Sequence, residues 1–128
     1  MPYQRFILID DNEADNFYHQ IMIRRAGFAG EILVFESGVD ALAFFQKDDM
    51  SLSTCIFLDI NMPMMDGFEM AEQATPLLTD KPSLMVLMLT SSDSSADRER
   101  ASALPIIQGY VTKPLDVATV KSLLSAGA

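Results

Sequence analysis

The 128-residue chain is poor in cysteine, histidine, basic charge and long apolar runs, and each shortage removes a class of function. Its single cysteine, Cys55, cannot form an internal disulfide, which suits a reducing cytoplasm. Cys55 lies within "TCIFL", reads as a small buried apolar residue, and has no partner base in sight that would make it a nucleophile. Nine Lys and Arg stand against 18 Asp and Glu, a net charge of −9, so nucleic acid is not expected as a direct partner. The surplus acid suits metal cations or a basic protein face, and much of it serves solubility. No apolar run approaches the roughly 18 residues of a membrane span, and "MPYQR" leads straight into a strand without a signal peptide. A cytoplasmic protein is therefore expected, without membrane contact. The one histidine, His19, reads as a surface residue of the first helix. Repeats, linkers and low-complexity tracts are missing too, so residues 1–128 are expected to form one domain. A hydrophobic content of 49% is enough for its core.

What is present is a regular alternation. Five short apolar runs, "FILI" (6–9), "ILVF" (32–35), "CIFL" (55–58), "LMVLML" (84–89) and "IIQGYV" (106–111), are mostly continuous, as in strands buried on both faces of a parallel sheet. Segments of helical length separate them. The first, capped by Asn12 or Asp11, carries Ala14, Phe17, Tyr18, Ile21 and Met22 at helical spacing, which predicts that stripe as its buried face. Arg24 and Arg25 suit its C-terminal end and Gly27 its termination. The second opens at Ser37-Gly38-Val39-Asp40, a capping-box variant, with Leu42, Ala43 and Phe45 inward. Asp66 caps the third, which carries Phe68, Met70 and Ala71 and is ended or bent by Pro76. The fourth, near 93–103, is mostly polar, with alanines and Leu104 as its anchors. The fifth follows Pro114, capped by Asp116, with Val117, Val120, Leu123 and Leu124 inward. A repeated β-α order predicts a parallel sheet with right-handed crossovers and helices on both faces, and a ligand site at the C-terminal ends of the strands.

Acids gather at that edge. Asp10 and Asp11 end strand one and Asp59 ends strand three, while Thr90 ends strand four and Lys113 strand five. Three crowded carboxylates repel one another and resist ionisation. A divalent cation resolves the conflict, and a hard oxygen site with few protein carboxylates suits Mg²⁺. A carboxylate flanked by Mg²⁺, an ammonium and a hydroxyl is arranged to take a phosphoryl group, with Asp59 as the nucleophile.

The segments "LIDDNE" (8–13), "LDINMPMMDGFE" (58–69), "LTSS" (89–92) and "GYVTKPL" (109–115), in this order, resemble a response-regulator receiver domain of two-component signalling, of the stand-alone chemotaxis-regulator type. The resemblance spans essentially the whole chain. It implies a flavodoxin-like, doubly wound α/β fold, (βα)5, with a five-stranded parallel sheet in the order 2-1-3-4-5. It implies Asp59 as phosphoacceptor and Asp10, Asp11, Asp59 and the backbone carbonyl of Asn61 as Mg²⁺ ligands. It further implies Lys113 as the partner of the phosphoryl group, and a cis bond between Lys113 and Pro114. Thr90 becomes the switch hydroxyl, Tyr110 the switch aromatic, and Ser91 a small neighbour that leaves Asp59 accessible. A sensor histidine kinase or a histidine phosphotransfer protein would be the donor. The face of helix four, strand five and helix five would change its protein partners or form a phosphorylation-dependent homodimer. Such a module catalyses only its own phosphorylation and dephosphorylation.

Each residue also has a plainer reading. Asp10-Asp11 alone suits a helix cap, Asp59 a strand-end turn, Lys113 a solvated lysine, Thr90 a cap and Tyr110 packing; their joint placement favours the site. Met62, Met64 and Met65, after Asp59, read as loop packing or a soft contact surface. Two other functions compete: a phosphorylation-independent pseudo-receiver scaffold, and a phosphatase of the haloacid dehalogenase type. The second would need an acid two residues after the nucleophile, where Asn61 stands.

Overall fold

The computed structural model describes residues 3–126. Ten elements alternate along the chain: β1 (Arg5–Ile9), α1 (Glu13–Arg25), β2 (Glu31–Phe35), α2 (Gly38–Lys47), β3 (Thr54–Leu58), α3 (Gly67–Leu78), β4 (Leu84–Thr90), α4 (Ser95–Ser102), β5 (Ile107–Thr112) and α5 (Val117–Ala126). The strands pair in parallel, in the order β2-β1-β3-β4-β5. This is the flavodoxin-like α/β fold, and each of the five apolar runs is one of its strands.

Alternation along the strands divides the core in two. Ile7, Ile9, Ile56, Leu58, Val86 and Met88 face one side, under Ala41, Leu42 and Phe45 of α2, Phe68, Met70 and Ala71 of α3, and Ala101 of α4. Phe6, Leu8, Cys55, Phe57, Leu87 and Leu89 face the other, under Ile23 of α1, Phe28, Leu115 and Val120 of α5. Both layers exclude water, so both residue sets of the central strands must be apolar. Burial also pushes the Cys55 thiol well above its usual proton affinity, in keeping with an unreactive side chain. Leu89 of β4 lies beside Val111 of β5, and Thr90 beside Thr112, which brings the ends of these two strands together.

β1 is bounded by buried charge at both ends. At its start, Arg5 Nε donates to Thr54 Oγ1 at 2.9 Å, and the same guanidinium pairs with Asp48 Oδ2 at 2.7 Å. At its finish stands Asp10.

Local capping follows the sequence. Asn12 accepts from the Asp15 backbone N–H, Ser37 from Asp40 and Asp116 from Thr119. Asp66 and Glu69 complete a reciprocal capping box on α3. Gly67, which opens α3, has no room for a side chain, because a Cβ there would run into the carbonyl oxygen of Asp59.

Four expectations are corrected. The stripe Ala14, Phe17, Tyr18 and Ile21 is the outer face of α1, and Phe17 is 66% exposed. The inward face is Asn16, His19, Met22 and Ile23. His19, expected at the surface, is 2% exposed. Polar contacts fix this rotation: Asn16 Nδ2 donates to the Asp10 carbonyl at 2.8 Å, and the Asn12 N–H donates to Asp10 Oδ1 at 2.9 Å. In α2 the inward alanine is Ala41, while Ala43 is exposed. Pro76 does not end α3, which runs on to Leu78. α4 is anchored as expected by Ala101, with Leu104 packed beside it. Two arginines add to this: Arg98 lies over the Tyr110 ring at 4.5 Å and Arg100 over the Phe68 ring at 4.4 Å.

Candidate functional site

The fold delivers the acids and the lysine to one edge. Backbone bonds fix the strand ends: the Asp10 N–H donates to the Phe35 carbonyl at 3.0 Å, Asp59 to Ile9 at 2.9 Å and Lys113 to Thr90 at 2.8 Å. Ligand oxygens of Asp10, Asp11 and Asp59 lie within 4.8 Å of one another. Asp10 and Asp59 are buried, whereas Asp11 opens to solvent. A set of three carboxylates with one exposed member, and hence room for water, fits a hard divalent cation such as Mg²⁺.

Lys113 closes the site from the β5 side. Its Nζ bonds to Asp10 Oδ2 at 2.7 Å and to Asp15 Oδ2 at 2.7 Å, and stands 3.6 Å from Asp59 Oδ2. Burial disfavours the charged ammonium, but the bonds to Asp10 and Asp15 outweigh it and hold its pKa above the ordinary lysine value. The Lys113–Pro114 bond is cis.

Asp59 carries the opposite strain. Burial, and then the charge of Asp10, lift its pKa to about 6. Lys113, the Ile60 N–H and the Thr90 hydroxyl pull it back down. Asp59 Oδ1 accepts from Ile60 N at 2.9 Å. The carboxylate therefore has unmet need for positive charge. A cation or an electrophile at this carboxylate would offset that need.

Thr90 is fully buried beside Asp59, and its Oγ1 also accepts from the Ser92 N–H at 3.2 Å. Tyr110 is half-buried, and its hydroxyl donates to the Ser92 carbonyl at 2.8 Å. Thr90 and Tyr110 are thus linked through one residue. Arg98 lies over the Tyr110 ring and also donates to Thr112 Oγ1 at 3.2 Å and Asp93 Oδ1 at 2.9 Å. Asn61 is exposed in the loop after Asp59, as is Ser91 after Thr90. Of the three loop methionines, Met62 is buried, Met65 packs on the core and Met64 is 98% exposed.

The profile of the "Response regulator receiver domain" family matches residues 6–125. The chain belongs to this family. Receiver domains are signalling modules of two-component systems, not conventional enzymes, and they partner histidine kinases. Among curated relatives, this receiver domain is 32% identical over 111 residues to "Heme response regulator HssR" of Staphylococcus epidermidis, covering 87% of the chain and 45% of that protein. It thus spans about half the length of that relative. It is 25% identical over 125 residues to "Protein PilH" of Pseudomonas aeruginosa, covering 95% of each. Among solved structures, a two component response regulator from Cytophaga hutchinsonii superposes with a TM-score of 0.80 at 28% identity, covering 97% of this chain and 96% of that one. The acidic triad is typical of a receiver Mg²⁺ site. No helix among the described residues is long and apolar enough to cross a membrane.

Three participants escaped the sequence reading. Asp15 is one of the two close carboxylate partners of Lys113, yet in sequence it is one more acid in a helix's first turn, where the helix dipole favours acids anyway. Asn16 braces the Asp10 carbonyl, and His19 lines the same small internal gap as Asp10 and Asp59. Both sat off the apolar stripe, so periodicity pointed away from them.

Proposed function

We propose that Asp59 accepts a phosphoryl group from a phosphohistidine, carried by a sensor histidine kinase or a histidine phosphotransfer protein. The observation that carries this reading is a buried carboxylate with raised proton affinity, ringed by two further acids and an ammonium at 3.6 Å. An oxygen of Asp59 attacks phosphorus, the P–N bond breaks, and its electron pair returns to the imidazole of the donor. Asp10, Asp11, Asp59 and the Asn61 carbonyl would hold Mg²⁺, which supplies positive charge to the moving phosphoryl oxygens. Lys113 offers those oxygens a second cation from the opposite side. The Thr90 hydroxyl, already turned to Asp59, donates to a third.

Thr90 moving toward the phosphoryl group would release or tighten its contact with Ser92, and through Ser92 that of Tyr110. The output is then a change in which proteins bind the α4–β5–α5 face, through a shift between two populations. The outer apolar stripe of α1, with Phe17 and Ile21 exposed, would offer a protein donor a contact on the helix that carries Asp15.

Intact-mass measurement after incubation with Mg²⁺ and acetyl phosphate tests the chemistry. One phosphate adduct is expected on the wild type and none on Asp59→Asn or in the presence of a chelator. Absence of the adduct on folded, Mg²⁺-binding wild type would leave the phosphorylation-independent scaffold as the better reading.

A further inference from the structure

Lys113 and a divalent cation answer the same negative charge. The ammonium bonds to Asp10, one of the three acids of the cluster, and stands close to a second, Asp59. A metal bound by Asp10 and Asp59 must share the site with it, and two cations in one small pocket repel each other. Something has to draw the ammonium aside.

We propose that Asp15 is a positioning residue that holds the Lys113 ammonium away from Asp59, leaving the three acids open to a divalent cation. The inference rests on the reading that the Asp59 site binds Mg²⁺. Asp15 lies outside the acidic triad yet is as near to Lys113 Nζ as Asp10 is, 2.7 Å in both cases. Asp59 is left with the longer distance of 3.6 Å. Asp15 is 38% exposed where Asp10 is 6%, so its pull on the ammonium runs toward the rim of the site. The tether is rigid, because Asp15 belongs to the first turn of α1. The rotation of that turn is set by the Asn12 cap and by the bond from Asn16 to the Asp10 carbonyl.

An ammonium has three donors. With the Asp15 charge removed, a freed donor turns to the nearest carboxylate, Asp59. Lys113 then bridges Asp10 and Asp59 as an internal counter-ion in the metal's place. Asp15 therefore acts through Lys113, as a bias in a competition between two cations.

Calorimetric Mg²⁺ titration of four proteins tests this: wild type, Asp15→Asn, Lys113→Met and the double variant. Asp15→Asn is expected to weaken Mg²⁺ binding about tenfold, and Asp15→Glu to restore it. In the Lys113→Met background, Asp15→Asn should change the affinity less than about twofold. Labelling of Asp15→Asn by acetyl phosphate should be slow at low Mg²⁺ and recover at saturating Mg²⁺. An unchanged affinity in Asp15→Asn overturns the proposal. So does an equal loss with and without Lys113, which would make Asp15 a direct attractor of the metal. A labelling defect that persists at saturating Mg²⁺ also overturns it. Failure of the wild type to bind Mg²⁺ at all would instead count against the phosphoacceptor reading on which the inference stands.

Discussion

At the scale of single residues, Asp59 is a charge that the fold holds at a cost. Its pKa is raised to about 6 by burial and by Asp10. A carboxyl whose folded pKa lies above its unfolded one favours folding while protonated. That contribution is complete below the unfolded pKa, near 3.9, and is lost as pH rises through 6. Asp59→Asn, which cannot ionise, is therefore expected to be more stable than the wild type by about 1–3 kcal/mol at pH 8. The gap should shrink toward zero below pH 4. Urea denaturation of both proteins across this range, in chelator, checks it. A difference independent of pH would mean that ionisation is not its source. On the proposed function the same pressure would favour the reaction, since positive charge brought to Asp59 offsets the cost of its burial and of the neighbouring Asp10 charge.

Among the elements, α4 is the one whose attachment is least apolar. Ala101 is its buried residue, and Arg98 and Arg100 lie over Tyr110 and Phe68 where larger aliphatic side chains would otherwise pack. Such contacts are individually worth about 0.5–1 kcal/mol at exposed positions. Arg98→Ala is therefore expected to cost about 1 kcal/mol of global stability or less. Locally it should speed amide exchange in α4 and at the end of β5 by severalfold, since elements with few apolar contacts open most easily. Hydrogen-exchange mass spectrometry resolves the two effects, and uniform acceleration across all helices would refute a local role. The sparse apolar content of α4 was plain from "DSSADRERASA". Its arginine–aromatic clamps were not, because each ring lies on another element. α1 misled for a different reason. Hydrophobic periodicity presumes that the apolar face goes inward, but here Asn16, with the Asn12 cap, locks the helix to Asp10 and turns Phe17 and Ile21 outward. The strands were the most legible parts, since burial on both faces leaves unbroken apolar runs that end where the candidate site residues begin. The same logic made Asp10, Asp59, Thr90 and Lys113 readable as neighbours, while Asp15 needed the helix rotation to be known.

For the whole molecule, the acid cluster and the fold's stability are one problem. A ligand that binds only the native state stabilises it by an amount set by its concentration relative to its dissociation constant. Mg²⁺ at about ten times that constant should add roughly 1.4 kcal/mol, seen as a rise in unfolding temperature that grows with metal concentration. In Asp59→Asn, which lacks one of the three charges, the rise should be much smaller. Equal shifts in both proteins would place the ion elsewhere.

β1 shows how such a site can help the chain find its own shape. Its four apolar residues, Phe6 to Ile9, sit between a buried arginine and a buried aspartate, each matched to a partner of opposite charge far away in sequence. Sliding this central strand one place in either direction would drive an unmatched charge into the sheet and turn every side chain to the wrong face. Arg5 and Asp10 therefore work like the end stops of a ruler, admitting one alignment of the strand against its two neighbours. The acid that raises the proton affinity of Asp59 also helps to define the register on which the rest of the sheet is built.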